Sequence, residues 1–106
     1  MKGMYVKQTL VRYKVKPERA AENEVYVERV FEELARNRPA GLRYASFKLD
    51  DGVSFVHLVS HEQDGSNPLA DLPAFKAFAE SVKDRCDEPP VAVQLRRVGA
   101  YRCFEG

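Results

Sequence analysis

The sequence predicts an α+β domain of βαββαβ order, the ferredoxin-like arrangement of one antiparallel sheet with two helices on one face. Three observations carry this. Two stretches repeat apolar residues at helical spacing, and each opens near a proline, Pro17 and Pro73. Four stretches alternate or concentrate β-branched and aromatic residues as strands do. The second and third of these are separated only by Asp50-Asp51-Gly52, a strong short hairpin signal.

The first strand covers Tyr5 to Val15, with Tyr5, Thr9, Val11, Tyr13 and Val15 on one parity. Pro17 suits a first helical turn, and Glu18 complements the positive helix end. Ala20, Asn23, Val27, Val30, Phe31 and Leu34 then form one buried stripe, with Glu32 and Arg36 as an exposed i,i+4 pair. Pro39 and Gly41 end the helix. Leu42 to Leu49 and Val53 to Ser60 are the hairpin strands, expected to meet in a type I′ turn. A polar loop, His61 to Pro68, leads to a second helix capped by Asp71. Its inner face is Phe75, Phe78, Ala79, Val82 and Cys86, and Asp87-Glu88-Pro89-Pro90 terminates it. Val91 to Phe104 is the last strand, interrupted at Gly99.

The 106 residues fit one domain, 1–106, with no repeat or linker. Seventeen basic against 16 acidic residues leave no net field to attract nucleic acid or an anionic membrane. No apolar run is long enough to span a bilayer. The start, Met1-Lys2-Gly3-Met4-Tyr5, enters a strand without a signal-peptide block, so a cytoplasmic location is expected. Cys86 and Cys103 make no metal or redox pattern, and Cys86 reads as a buried free thiol.

A sheet covered on one face should be polar on the other. The hairpin strands are not. Leu42 and Tyr44 alternate with Ala45, Phe47 and Leu49, and Val53, Phe55 and Val59 with Val56 and Leu58. Fourteen extended residues in the last strand would reach about 46 Å at ~3.3 Å each, far beyond a typical strand. Both features point to a homodimer in which sheets pack face to face and Ala100 to Phe104 cross to the partner.

Three segments carry a resemblance: Val15-Lys16-Pro17-Glu18, Leu72-Pro73-Ala74-Phe75-Lys76-Ala77-Phe78, and Val98-Gly99-Ala100-Tyr101-Arg102-Cys103-Phe104. Together they resemble the dimeric α/β-barrel superfamily, most closely its antibiotic-biosynthesis-monooxygenase-like branch. The resemblance implies a homodimer with a ligand cavity between sheet and helices. It also implies cofactor-independent oxygenase chemistry on an aromatic or quinone-like substrate. The same superfamily hosts non-catalytic ligand-binding or stress-response proteins and isomerase or lyase chemistry, because fold alone does not transmit function. The chain departs from active members in having no Trp and no His in its second helix, and Val11 stands near where haem degraders use an Asn. Haem degradation by that scheme is therefore not expected.

Four residues are candidates for the cavity. His57 lies mid-strand and reads either as a hydrogen-bonded structural histidine or as a general base that turns a phenol-like substrate into an anion. A straight strand puts His57 and His61 about 13 Å apart, too far for one metal ion, so no metal site is expected. Asn23 sits on the sheet-facing stripe, where it either meets water at a frayed helix or lines the cavity with Tyr13 or Thr9. Tyr44 and Tyr101 read first as core or interface. Arg12, Arg43, Arg96 and Arg97 are expected to pair with carboxylates. No organic cofactor motif is present.

Overall fold

The computed structural model describes residues 6–62 and 68–102. The order is β1 (Val6–Val15), a 3₁₀ turn (Pro17–Arg19), α1 (Ala20–Asn37), β2 (Leu42–Lys48), β3 (Ser54–Glu62), α2 (Pro73–Arg85) and β4 (Cys86–Gln94). The strands form one antiparallel sheet in the order β2-β3-β1-β4. This is the ferredoxin-like α+β fold.

The register gives each sheet face its composition. Val11 lies opposite His57, Tyr13 opposite Phe55, and Ser46 opposite His57, so these residues share the face that carries the helices. Tyr13, Val15, Ala20, Val30, Phe55, Leu69, Leu72, Phe78 and Val82 form the core there. Tyr13 stacks on Phe55 with ring centroids 5.5 Å apart. The opposite face holds Leu10, Ala45, Val56 and Leu58, half-buried, and Phe47, Val91 and Val93, exposed. Among the described residues, no element covers it.

Several local expectations are corrected. The 50–52 turn is not type I′. Gly52 N–H donates to Leu49 O at 3.0 Å, and Gly52 has φ +78°, whereas Asp51 has no positive φ. The Asp51 carboxylate instead accepts from the amides of Val53 and Ser54 and from Ser54 Oγ. These bonds hold its pKa down to about 2. A side chain that binds the following backbone makes a second positive φ unnecessary. Arg36 pairs with Glu33 at 4.0 Å rather than with Glu32. Glu33 has a second duty: its Oε1 accepts from Ala74 N at 2.9 Å and so caps α2. Asp71 is not the cap; the N-cap position is Leu72, whose side chain has no hydrogen-bonding atom.

The end of the chain differs most. Residues 87–90 do not merely terminate α2, because β4 starts at Cys86 directly after the helix and runs through Pro89 and Pro90. Prolines are tolerated on an edge strand, and the register with β1 shifts where they fall, between Arg12 and Lys14. Cys86 is thus half-buried at a strand start, not on a helical stripe. Ala79 is exposed. Strand structure stops at Gln94, so Arg96 and Arg97 are not strand residues. Leu95 still donates its amide to Gln8 O of β1 at 2.8 Å, and Arg96 to Arg102 are exposed with no strand pairing among the described residues. Cys103 and Phe104 lie outside the described residues.

Candidate functional site

Four neutral polar side chains and one cation meet under the helices. Tyr13, on β1, brings its hydroxyl to 2.8 Å from His57 Nε2, on β3. Asn23, in α1, donates from Nδ2 to the same hydroxyl at 2.9 Å. Tyr44, on β2, places its hydroxyl 2.5 Å from His57 Nδ1. Arg85, the last residue of α2, donates from Nε to Asn23 Oδ1 at 3.1 Å. The relative exposures are 2% for Tyr13, 3% for His57, and 0% for Asn23 and Arg85, so water does not solvate these four groups, and Tyr44 is half-buried.

Burial decides the charge states. It lowers the His57 pKa to about 4, which leaves the imidazole neutral near pH 7. It raises the pKa of Tyr13 and of Tyr44 above the ordinary phenol value, so both hydroxyls keep their protons. The Arg85 guanidinium meets neutral acceptors: Asn23 Oδ1, Ser81 Oγ at 2.6 Å and Phe78 O at 3.3 Å. Its Cζ also lies 4.1 Å from the centre of the Tyr26 ring, a cation–π contact.

Arg85 is the residue that the strand and histidine arguments miss. A signal for it exists. Phe75, Phe78, Val82 and Arg85 fall at offsets 0, 3, 7 and 10, so Arg85 continues the buried stripe, and Ser81 stands one turn before it.

The structure brings Asn23, Tyr13 and His57 together on one face of the sheet. Asn23 faces the interior rather than water. The three do not line an open cavity; they are packed into the core and use one another's hydrogen-bonding capacity. Thr9, on the same parity of β1, is half-buried and outside this chain of bonds. His61 lies opposite Leu42 and Lys7, four residues along β3 from His57. Both His57 nitrogens are engaged by tyrosine hydroxyls, so a metal would have to displace one of them.

An open pocket of about 350 Å³ adjoins the network. Phe31, Leu34, Ala35 and Arg38 of the α1 end, with Pro39, Leu42 and Tyr44, form its walls. Tyr44 is the shared member: its ring stacks on Phe31 at 4.8 Å, and its hydroxyl meets His57. Arg38 closes α1 in a left-handed conformation, φ +46°, with its amide donating to Leu34 O at 2.8 Å.

No family model matches the chain, and no curated protein matches it in sequence. Solved structures do match it in three dimensions. One from Nitrosomonas europaea, described as a putative antibiotic biosynthesis monooxygenase, superposes with TM-score 0.73 at 16% identity, over 92% of this chain and 95% of its own. Another so described, from Caulobacter crescentus, gives 0.71 at 22% identity, over 91% and 92%. A variant of SnoaB, a cofactor-independent oxygenase from Streptomyces nogalater, gives 0.66 at 18%, over 90% and 95%. At such identities the likeness is one of fold, and over nearly its whole length this chain has the fold of antibiotic-biosynthesis-monooxygenase-like proteins.

Proposed function

We propose that the protein is a homodimeric small-molecule enzyme of the cofactor-independent monooxygenase type, acting on an aromatic or quinone-like substrate held against Tyr44. The observation that carries this reading is a mostly apolar pocket, large enough for fused rings, sharing one wall residue with a buried polar network. Phe31, Leu34, Pro39 and Leu42 suit the faces of a flat ring system. Tyr44 supplies a hydroxyl that keeps its proton, suited to an oxygen atom on the ring.

Oxidation of a ring methylene to a carbonyl needs no outside reductant. One dioxygen is consumed, one of its atoms goes to the carbon, and the other leaves as water with the two methylene hydrogens. The barrier falls when the substrate becomes an electron-rich anion, and a donor aimed at the anionic oxygen favours that state. Tyr44 fits the donor role. His57 is not among the wall residues of the pocket and meets one of them, Tyr44, at its hydroxyl, so a base function for His57 would pass through Tyr44. Asn23 and Tyr13 serve this reading by holding His57, and Thr9 has no part in it.

The test is oxygen consumption with tricyclic anthrones and with hydroxynaphthalenes, in wild-type protein and Tyr44→Phe. Turnover that needs no added metal or flavin and falls at least ten-fold in the variant is expected. Binding without oxygen uptake would favour a ligand-binding protein instead. Absence of both binding and turnover would refute the reading.

A further inference from the structure

We infer that Arg85 is a positioning residue that fixes Tyr44 as a hydrogen-bond donor into the pocket, so that the pocket selects ligands by an acceptor oxygen such as a ring carbonyl. This rests on the pocket being the ligand site, as proposed above, and adds which ligand chemistry it takes.

The direction follows from donor and acceptor inventory alone. A guanidinium has donors and no acceptor, so the Asn23 amide faces Arg85 with its oxygen. Its NH₂ is then left for Tyr13, whose oxygen must accept. A neutral imidazole has one N–H and one bare nitrogen, which leaves two arrangements. Ser46 Oγ, 3.5 Å from Nε2, is a rotatable hydroxyl that can donate in the first and accept in the second, so it favours neither. In the first, Tyr13 donates to Nε2, and Nδ1–H donates to the Tyr44 oxygen. In the second, Nε2–H donates to Tyr13, and Tyr44 donates to Nδ1. The second gives the Tyr13 oxygen two donors and leaves its own proton, at 2% exposure, with no acceptor among the described residues. A buried donor left unpaired loses its hydration without a replacement bond, which disfavours that arrangement. The first arrangement instead moves the spare proton to Tyr44, the half-buried member that lines the pocket. The first is therefore favoured.

Every bond in the chain then points the same way: Arg85 to Asn23, Asn23 to Tyr13, Tyr13 to His57, His57 to Tyr44. Bonds aligned in series polarise one another, and the cation at the far end strengthens each donor down the line. Tyr44 ends the line with a proton to give. A ligand that offers only a donor meets nothing there.

Nitrogen NMR of the wild-type imidazole, without any ligand, reads the tautomer directly. Titration with 1-tetralone and with tetralin, which share a ring frame but differ by the carbonyl, reads the selection. Expected are a neutral His57 protonated at Nδ1, tetralone bound roughly ten-fold more tightly than tetralin as one added hydrogen bond implies, and a lowered carbonyl stretching frequency in the bound ketone. Tyr44→Phe should abolish the preference and the frequency shift while His57 stays folded in place. Arg85→Met should shift the tautomer toward Nε2–H and shrink the preference, and Arg85→Lys should restore part of it. An Nε2–H tautomer in the wild type would overturn the inference, whatever binds. Equal binding of the two probes would overturn it and leave the pocket standing. Failure of both to bind would overturn it together with the pocket.

Discussion

Arg85 Nε and Asn23 Oδ1 lie 3.1 Å apart, joining the last residue of α2 to the first turn of α1 across 62 residues of sequence, with both side chains wholly buried. The bond ties the two helices together above the sheet, and it places a cation where no solvent reaches it.

Removal of Asn23 should therefore cost more than removal of Arg85. Asn23→Leu strands a buried guanidinium donor and the Tyr13 oxygen, a loss of about 3 kcal/mol. Arg85→Met also removes a costly buried charge, which offsets part of the lost bond, so about 1–2 kcal/mol is expected. The double variant should lose less than the sum, because each single change already breaks the shared bond. Urea denaturation of the four proteins measures this, and strict additivity would show that the two side chains do not act as a pair.

His57 makes stability depend on pH. Its folded pKa, about 4, lies below the unfolded value of about 6.5, so the unfolded chain binds the extra proton first. Stability contributed this way is complete above about pH 6.5 and is lost as pH falls toward 4, by roughly 3 kcal/mol at ~1.4 kcal/mol per unit. His57→Gln should flatten the stability profile between pH 4 and 6.5. A profile unchanged by that substitution would show that His57 titrates normally.

The uncovered sheet face should bury itself against a second copy. Light scattering is expected to give about twice 12.1 kDa. Phe47→Glu, at a position 46% exposed in the single chain, should give monomers with intact helices, since a charge there opposes face-to-face packing. Truncation after Gly99 should also weaken association. A wild-type monomer at high concentration would contradict this.

Gly52→Ala isolates a backbone effect. No atom lies within 4 Å of an added Cβ, yet φ is +78°, so the cost is conformational alone, about 1 kcal/mol. Gly52→Asn should cost less, because Asn tolerates that region better. Equal losses in the two variants would point to a turn that rearranges.

Local pattern was enough for the element order. It put Asn23 on the sheet-facing stripe without deciding between water and the interior, and strand parity allowed Tyr13 and His57 one face only if β1 and β3 pair in the register they turn out to have. Helical and strand periodicities are properties of neighbouring residues, and hairpin and βαβ connection rules leave few ways to join them. Parity also showed that both sheet faces are apolar. What was not legible depends on partners far away in sequence. Pro89 and Pro90 read as a helix stop, and only the edge position of β4 makes them acceptable strand residues. Asp71 looked like the cap of α2, but Glu33 of α1 reaches Ala74 first. Arg85 carries no expectation from the sequence, and its burial was decided by Asn23, Ser81 and Tyr26 arriving around it. The sequence by itself determined which residues could face the interior, since that follows from spacing. Only the tertiary structure decided which donors met which acceptors there, because hydrogen bonds require atoms within about 3 Å, and such distances between segments exist only once the sheet and helices have packed.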